Sequence, residues 1–220
     1  MNENNHDTVE IKTPGSPWRR FLARFVAEPE PSIAHRLYER LVQHARLPLY
    51  YGTLGVPDTP EGRFEILSLH VGLTVQRLYR LDGDDPQGKG RELGQALFDL
   101  MVADVDMNLR ELGVGDLSVG KQVKRLAGQF YARLAVLNEA FNDGRLDQLS
   151  PMLSTNVWGS SPPGPDKVAH LAKIVAALKN ALAQQTLDDL EQGRTALPDE
   201  PVLAALLSED DPVEDDGQQK

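Results

Sequence analysis

The chain has 220 residues, 40% of them hydrophobic and 25% charged, which is the composition of one globular domain with spare length for tails. Its 23 Lys and Arg against 33 Asp and Glu give a net charge of −10, the wrong sign for a protein that coats DNA with its surface. The absence of Cys excludes disulfides, thiolate zinc sites and a Cys nucleophile.

The charge is uneven along the chain. The last stretch, "SEDDPVEDDGQQK", holds six acids and one Lys and so supplies −5 of the −10. The rest is mildly acidic and has room for a basic face. "MNENNHDTVEIKTPGSP" has no apolar core of the kind a secretory signal needs, and no run approaches ~18 apolar residues. A cytoplasmic protein is the expectation.

Residues 1–17, polar and broken by Pro14, Gly15 and Pro17, read as disordered. A short amphipathic helix follows over 18–27. Trp18, Phe21, Leu22, Phe25 and Val26 gather on one face of it, and Arg19, Arg20 and Arg24 take the other. That layout suits a helix lying on an anionic membrane, or one that caps the body through the same aromatics. "PEPS" breaks it, and Ser32 reads as the cap of a helix carrying Ile33, Leu37, Leu41 and Ala45. "PLYYGTLGVPD" is an aromatic-rich connection that exposes Tyr50 and Tyr51.

Thr59 and Pro60 form a cap followed by an N1 proline, predicting a helix to about residue 81 that stops at "DGDDPQG". Phe64, Leu67, Val71, Val75 and Leu78 form one stripe on it, with Ile66, Leu69 and Leu73 opposite. The next helix covers about 91–112, with an apolar arc over more than half its circumference and Gly113 as its stop. Helices that are apolar nearly all round are central, so these two form the expected core pair. After the "GVGDLS" turn, Ser118 reads as the cap of a helix whose stripe runs Val119, Val123, Leu126, Phe130, Leu134, Leu137 and Phe141.

Asp147 reads as the cap of a short helix through Val157. "GSSPPGP" is a loop, "DKVAHLAKIVAALKNALAQQ" is the last strong helix and "EPVLAALLS" a weaker one. There is no alternating strand pattern and no repeat. The expected fold is all-α: one irregular multi-helix domain over 32–185, short C-terminal helices over 186–207, and a disordered acidic tail over 208–220.

One stretch carries a conflict. At 100° per residue with Leu93 at zero, Leu97, Leu100 and Met107 fall within about 40° of it. Asp104 and Glu111 fall in the same stripe, with Asn108 at its margin. A carboxylate buried there needs a partner or a cavity. Asp104 and Asn108 either bond the adjacent turn and its neighbours or line a polar recess. On the following helix Lys121, Lys124 and Arg125 share a face that Gly128, Ala132 and Ala135 continue. Either a neighbouring helix of the same fold fills this small-residue face, or a partner's helix docks there.

Metal chemistry has little support. His6, His35, His44, His70 and His170 are scattered, with no H-E-x-x-H or Glu-x-x-His spacing. His70 lies in line with Arg63 and Arg77, and a core or interface histidine is expected there. No phosphate-binding, dinucleotide or nucleophile-elbow motif occurs, so an enzyme has no residue-level support.

Two blocks then stand out, "LYERLVQHARLPLYYGTLGVPDTPEGRFEILSLH" and "QALFDLMVADVDMNLRELGVGDLSVGKQVKRLAGQFYARL". Over about residues 32–185 the chain resembles the ubiquinol–cytochrome c chaperone family, assembly factors for the cytochrome b–c1 complex in mitochondria and alphaproteobacteria. It departs in "FYARL", where Ala132 stands in place of the family's usual glycine. The resemblance implies a non-enzymatic, cofactor-free chaperone that binds nascent or unassembled cytochrome b at the cytoplasmic side of the inner membrane. The membrane surface, a second assembly factor and the ribosome are further partners in its scope; DNA is not.

Under that resemblance Lys121, Lys124, Arg125, Gly128, Ala132, Tyr50 and Tyr51 are the expected client-binding residues. Asp104, Asn108, Glu111, Gly113, Gly115 and Asp116 form the expected polar framework, with Asp104 and Asn108 tying the central helix to the "GVGDLS" turn. Trp18, Arg19, Arg20, Phe21, Arg24 and Phe25 are the expected membrane contacts. The rival is an all-α ligand-binding protein or enzyme with a pocket around Asp104, Asn108 and His70. A third reading is a membrane-surface adaptor acting through residues 1–27.

Overall fold

The computed structural model describes residues 32–142 and 145–208. The expectations for residues 1–27, including Trp18, Arg19, Arg20, Phe21, Arg24 and Phe25, and for the acidic tail beyond Ser208 lie outside them.

The described residues are all-α. α1 (Ile33–Ala45) leads through a π-helical turn (Leu49–Thr53) to α2 (Pro60–Asp82), α3 (Lys89–Glu111) and α4 (Asp116–Asn142). A 3-10 turn (Leu146–Gln148), α5 (Leu149–Trp158), α6 (Pro165–Ala183), α7 (Leu187–Glu191) and α8 (Glu200–Ser208) complete it.

α2 is the axis. The Thr59 side chain caps it by accepting from the Gly62 N–H at 3.2 Å, with Pro60 behind as the sequence predicts. Its two apolar stripes are both covered, because α1, α3, α4, α5 and α6 all pack against it. α3 comes so close that a Cβ at Gly90 would stand 2.5 Å from the Leu78 carbonyl oxygen. Leu149, Leu153, Trp158, Leu171 and Ile174, from α5 and α6, extend this core, and Leu203 and Leu207 of α8 close it.

α3 is central over only half its length. Leu93, Leu97, Leu100, Met101 and Val102 are buried, but no residue of the helix after Val102 is. Met107 is 55% exposed and Leu112 63%. The apolar arc of the sequence is real, but the α3–α4 hairpin outruns the helices that would cover it. Gly113 ends α3 at φ +79°, with the Val114 N–H returning to the Leu109 carbonyl at 3.0 Å.

Three local expectations are corrected. α4 opens at Asp116, two residues before Ser118, whose N–H bonds the Gly115 carbonyl at 2.8 Å. Asp147 lies inside the 3-10 turn and α5 follows from Gln148 without a side-chain cap. Tyr50 is 1% exposed inside the π-helical turn rather than presented to solvent. Within the span where short C-terminal helices are expected, α7 is started by a reciprocal capping box between Thr186 and Asp189.

Candidate binding groove

The Thr59 cap, the end of α1, the free half of α3 and the start of α4 surround an open groove of about 410 Å³. Its apolar lining includes Val42, Phe64, Leu67, Val105, Leu109 and Leu126. These are residues from four helices that each turn an apolar side inward but run out of fold to pack against. Leu112 sits on the rim.

Asp104, Asn108 and Glu111 all line this groove. Asp104 is half-buried, while Asn108 and Glu111 are exposed, so the conflict in the sequence resolves into one wall of a recess. The partner of Asp104 is Tyr38 of α1, whose hydroxyl donates to its Oδ2 at 3.0 Å. Asn108 Nδ2 donates to Oδ1 at 3.2 Å. Burial, and then the Asp104 carboxylate, hold the Tyr38 hydroxyl well above the usual phenol range. Neither Asp104 nor Asn108 ties the turn. That contact belongs to Arg110, which donates to Asp106 at 2.7 Å and also pairs with Asp116, the first residue of α4. Gly115 only lends the turn its carbonyl.

The remaining charges differ in how they are satisfied. Arg63 pairs with Asp58 at 2.6 Å. Arg46 and Arg125, also in the lining, take no ion pair among the described residues, and neither do Glu61 and Glu111. Tyr51 reaches the groove with its ring half-buried and its hydroxyl donating to the Ala45 carbonyl at 2.8 Å.

Beside the groove, α4 carries Lys121, Lys124, Arg125, Gly128, Ala132 and Ala135, all exposed. A Cβ added at Gly128 would meet nothing within 4 Å. The described helices pack on the other side of α4, against Val119, Phe130 and Leu137, so none of them fills the small-residue face. The glycine-to-alanine departure at Ala132 therefore costs the fold no close approach.

His70 does not join Asp104 and Asn108. It is 2% exposed, 2.8 Å from His44 Nδ1 through its Nε2 and 2.8 Å from the Ile66 carbonyl through its Nδ1. The Tyr50 hydroxyl lies 3.3 Å from the same Nε2. Burial, with His44 beside it, pushes His70 down to about 3. It is a neutral core histidine, and the enclosed pocket of the rival reading does not form. Among the described residues no group of three or more His, Cys, Asp or Glu is placed to hold a metal.

One feature of the neighbourhood escaped the sequence reading. Glu65 of α2 and Arg133 of α4 form a buried ion pair, 7% and 5% exposed, with the guanidinium 6.0 Å from the Phe64 ring centroid. Burial pushes Glu65 up to about 7 against the downward pull of Arg133. The signal was present: Glu65 shares a face with Leu69 and Gly72, and Arg133 lies between Phe130 and Leu137 on the apolar stripe of α4.

Comparison with known proteins places this architecture. The family model described as ubiquinol-cytochrome C chaperone matches residues 52–197. No curated protein matches the chain. Among solved structures, the crystal structure of the Cbp3 homolog from Brucella abortus is similar, at 32% identity and a TM-score of 0.66 over 83% of this chain and 94% of that one. The residue blocks, the all-helical fold and both matches agree, and the chain belongs to the ubiquinol–cytochrome c chaperone family.

Proposed function

We propose that this protein is a non-enzymatic assembly chaperone that holds newly made cytochrome b until it enters the ubiquinol–cytochrome c reductase complex. The observation that carries the reading is the open groove running onto the exposed basic face of α4. A half-buried apolar lining, two arginines without an ion pair among the described residues and a wide mouth suit a polypeptide client better than a small molecule. Lys121, Lys124, Arg125, Gly128 and Ala132 form the client face, and Tyr51, not Tyr50, is the aromatic available to it. Asp104, Asn108 and Glu111 act from the groove wall. No helix among the described residues is long and apolar enough to cross a membrane. Work at the cytoplasmic side of the inner membrane would therefore rest on peripheral contact, for which Trp18, Arg19, Arg20, Phe21, Arg24 and Phe25 are the candidates.

The test is crosslinking in cells with a photoreactive residue at Lys121, followed by peptide identification after a pulse of synthesis. Cytochrome b should be recovered early after synthesis and be lost on chase. Recovery of no subunit of the complex, together with normal cytochrome b in a deletion strain, overturns the reading.

A further inference from the structure

We infer that the groove is shaped for one kind of segment: an amphipathic helix of another protein that carries two cations seven residues apart on one flank and an acid on the other. This rests on the chaperone reading and adds the chemistry by which the client would be chosen.

The acidic wall comes first. Asp104 and Glu111 both line the groove from α3 and stand seven residues, about 10 Å, apart along its axis. Asp104 is half-buried, yet its hydrogen-bond partners are the neutral Tyr38 hydroxyl and Asn108 amide. Glu111 has no ion pair among the described residues. An occupant that covers this wall removes water from two carboxylates, and only a cation opposite each compensates that loss. Two turns of helix repeat at nearly the same spacing, so a Lys or Arg pair at i and i+7 meets both.

The other walls carry the opposite sign. Arg46 enters from the residue after α1 and Arg125 from α4, and neither takes an ion pair within the described residues, unlike Arg63 with its Asp58. Between these walls lie the half-buried Val105, Leu109 and Leu126, with exposed Leu112 on the rim, and they accept the occupant's apolar face. Fixed charges of both signs select orientation as well as partner.

The pattern also narrows the occupant. An anionic lipid headgroup would face Asp104 and Glu111, which disfavours it. The described residues of a second copy offer no matching element, because no described helix of this chain carries two Lys or Arg seven residues apart. The occupant is a helix of a different protein.

The test uses the full chain and two fluorescein-labelled amphipathic peptides of about 18 residues with identical apolar faces. One has two Lys seven residues apart on the first flank and Glu on the second; the other has these charges exchanged. Anisotropy should show the first binding at least tenfold tighter, with the difference growing at low salt. Asp104→Asn with Glu111→Gln should erase the preference, and Asp104→Asn still offers Tyr38 an acceptor. Glu111→Arg should favour the exchanged peptide, a rescue that mere loss of structure cannot produce.

Equal binding of the two peptides, or an unchanged preference in the variants, overturns the inference. So does a dimer in sedimentation that Glu111→Arg dissolves. If the peptides fail while cytochrome b still crosslinks at Lys121, the charge pattern falls and the chaperone reading stands. If they discriminate but cytochrome b is never recovered, the groove serves another helical protein.

Discussion

Tyr38 and Asp104, 66 residues apart in sequence, are joined by a 3.0 Å hydrogen bond that fastens α1 to the last covered turn of α3. Beyond this bond α3 leaves the core and becomes a groove wall. The bond is charge-assisted and its donor is buried, so its loss leaves a half-buried carboxylate short of one partner. Tyr38→Phe should cost about 1–3 kcal/mol of stability in urea titration. It should also loosen the groove wall, read as faster amide exchange over residues 103–112.

The Glu65–Arg133 pair tests how α2 and α4 are held together. Removing one member of a buried pair strands the other, at about 3–5 kcal/mol. Arg133→Ala should fall in that range, whereas Glu65→Leu with Arg133→Met, an apolar replacement of both, should retain most of the stability. Denaturation of the single and double variants checks this.

Two buried groups should give stability opposite slopes with pH. His70 is held at about 3 against an ordinary 6.5, so the unfolded chain binds the extra proton and stability falls as pH drops below about 6.5 towards 3. Glu65 is pushed up to about 7 from 4.5, so the folded chain binds the extra proton and stability falls as pH rises between those values. Denaturation midpoints across this range should show a shallower acid-side slope in His70→Asn and a shallower neutral-side slope in Glu65→Gln.

The same substitution at two helical glycines should act with opposite signs. Gly128→Ala adds a Cβ to open space on an exposed helix face and should stabilise by about 0.5–1 kcal/mol. Gly90→Ala drives a Cβ to 2.5 Å from the Leu78 carbonyl oxygen, so it forces α2 and α3 apart and should destabilise despite the better helix propensity. Thermal melts of both variants decide it.

Much of the fold was legible because helices announce themselves locally. Thr59–Pro60 opened α2 where expected, Gly113 ended α3 with a positive φ, and α2 was apolar on two sides and is covered on both. The groove was partly legible: the misplaced Asp104, Asn108 and Glu111 all lie on it. Tyr50 was misread because "PLYYGTL" folds as a π-helical turn whose first tyrosine points into the core, a conformation with no signature in hydrophobic spacing.

By itself the sequence determined the helical class, the element boundaries to within a few residues, and the residue blocks that carry the family. Periodicity states which side of a helix avoids water, and nothing about which neighbour arrives there or how far that neighbour extends. Only the tertiary structure decided that α3 protrudes beyond Val102 and that Tyr38 is the partner of Asp104. The same holds for the burial of Glu65 with Arg133 and the open small-residue face of α4. Each depends on contacts between residues far apart in the chain, whose pairing is set by how whole helices pack.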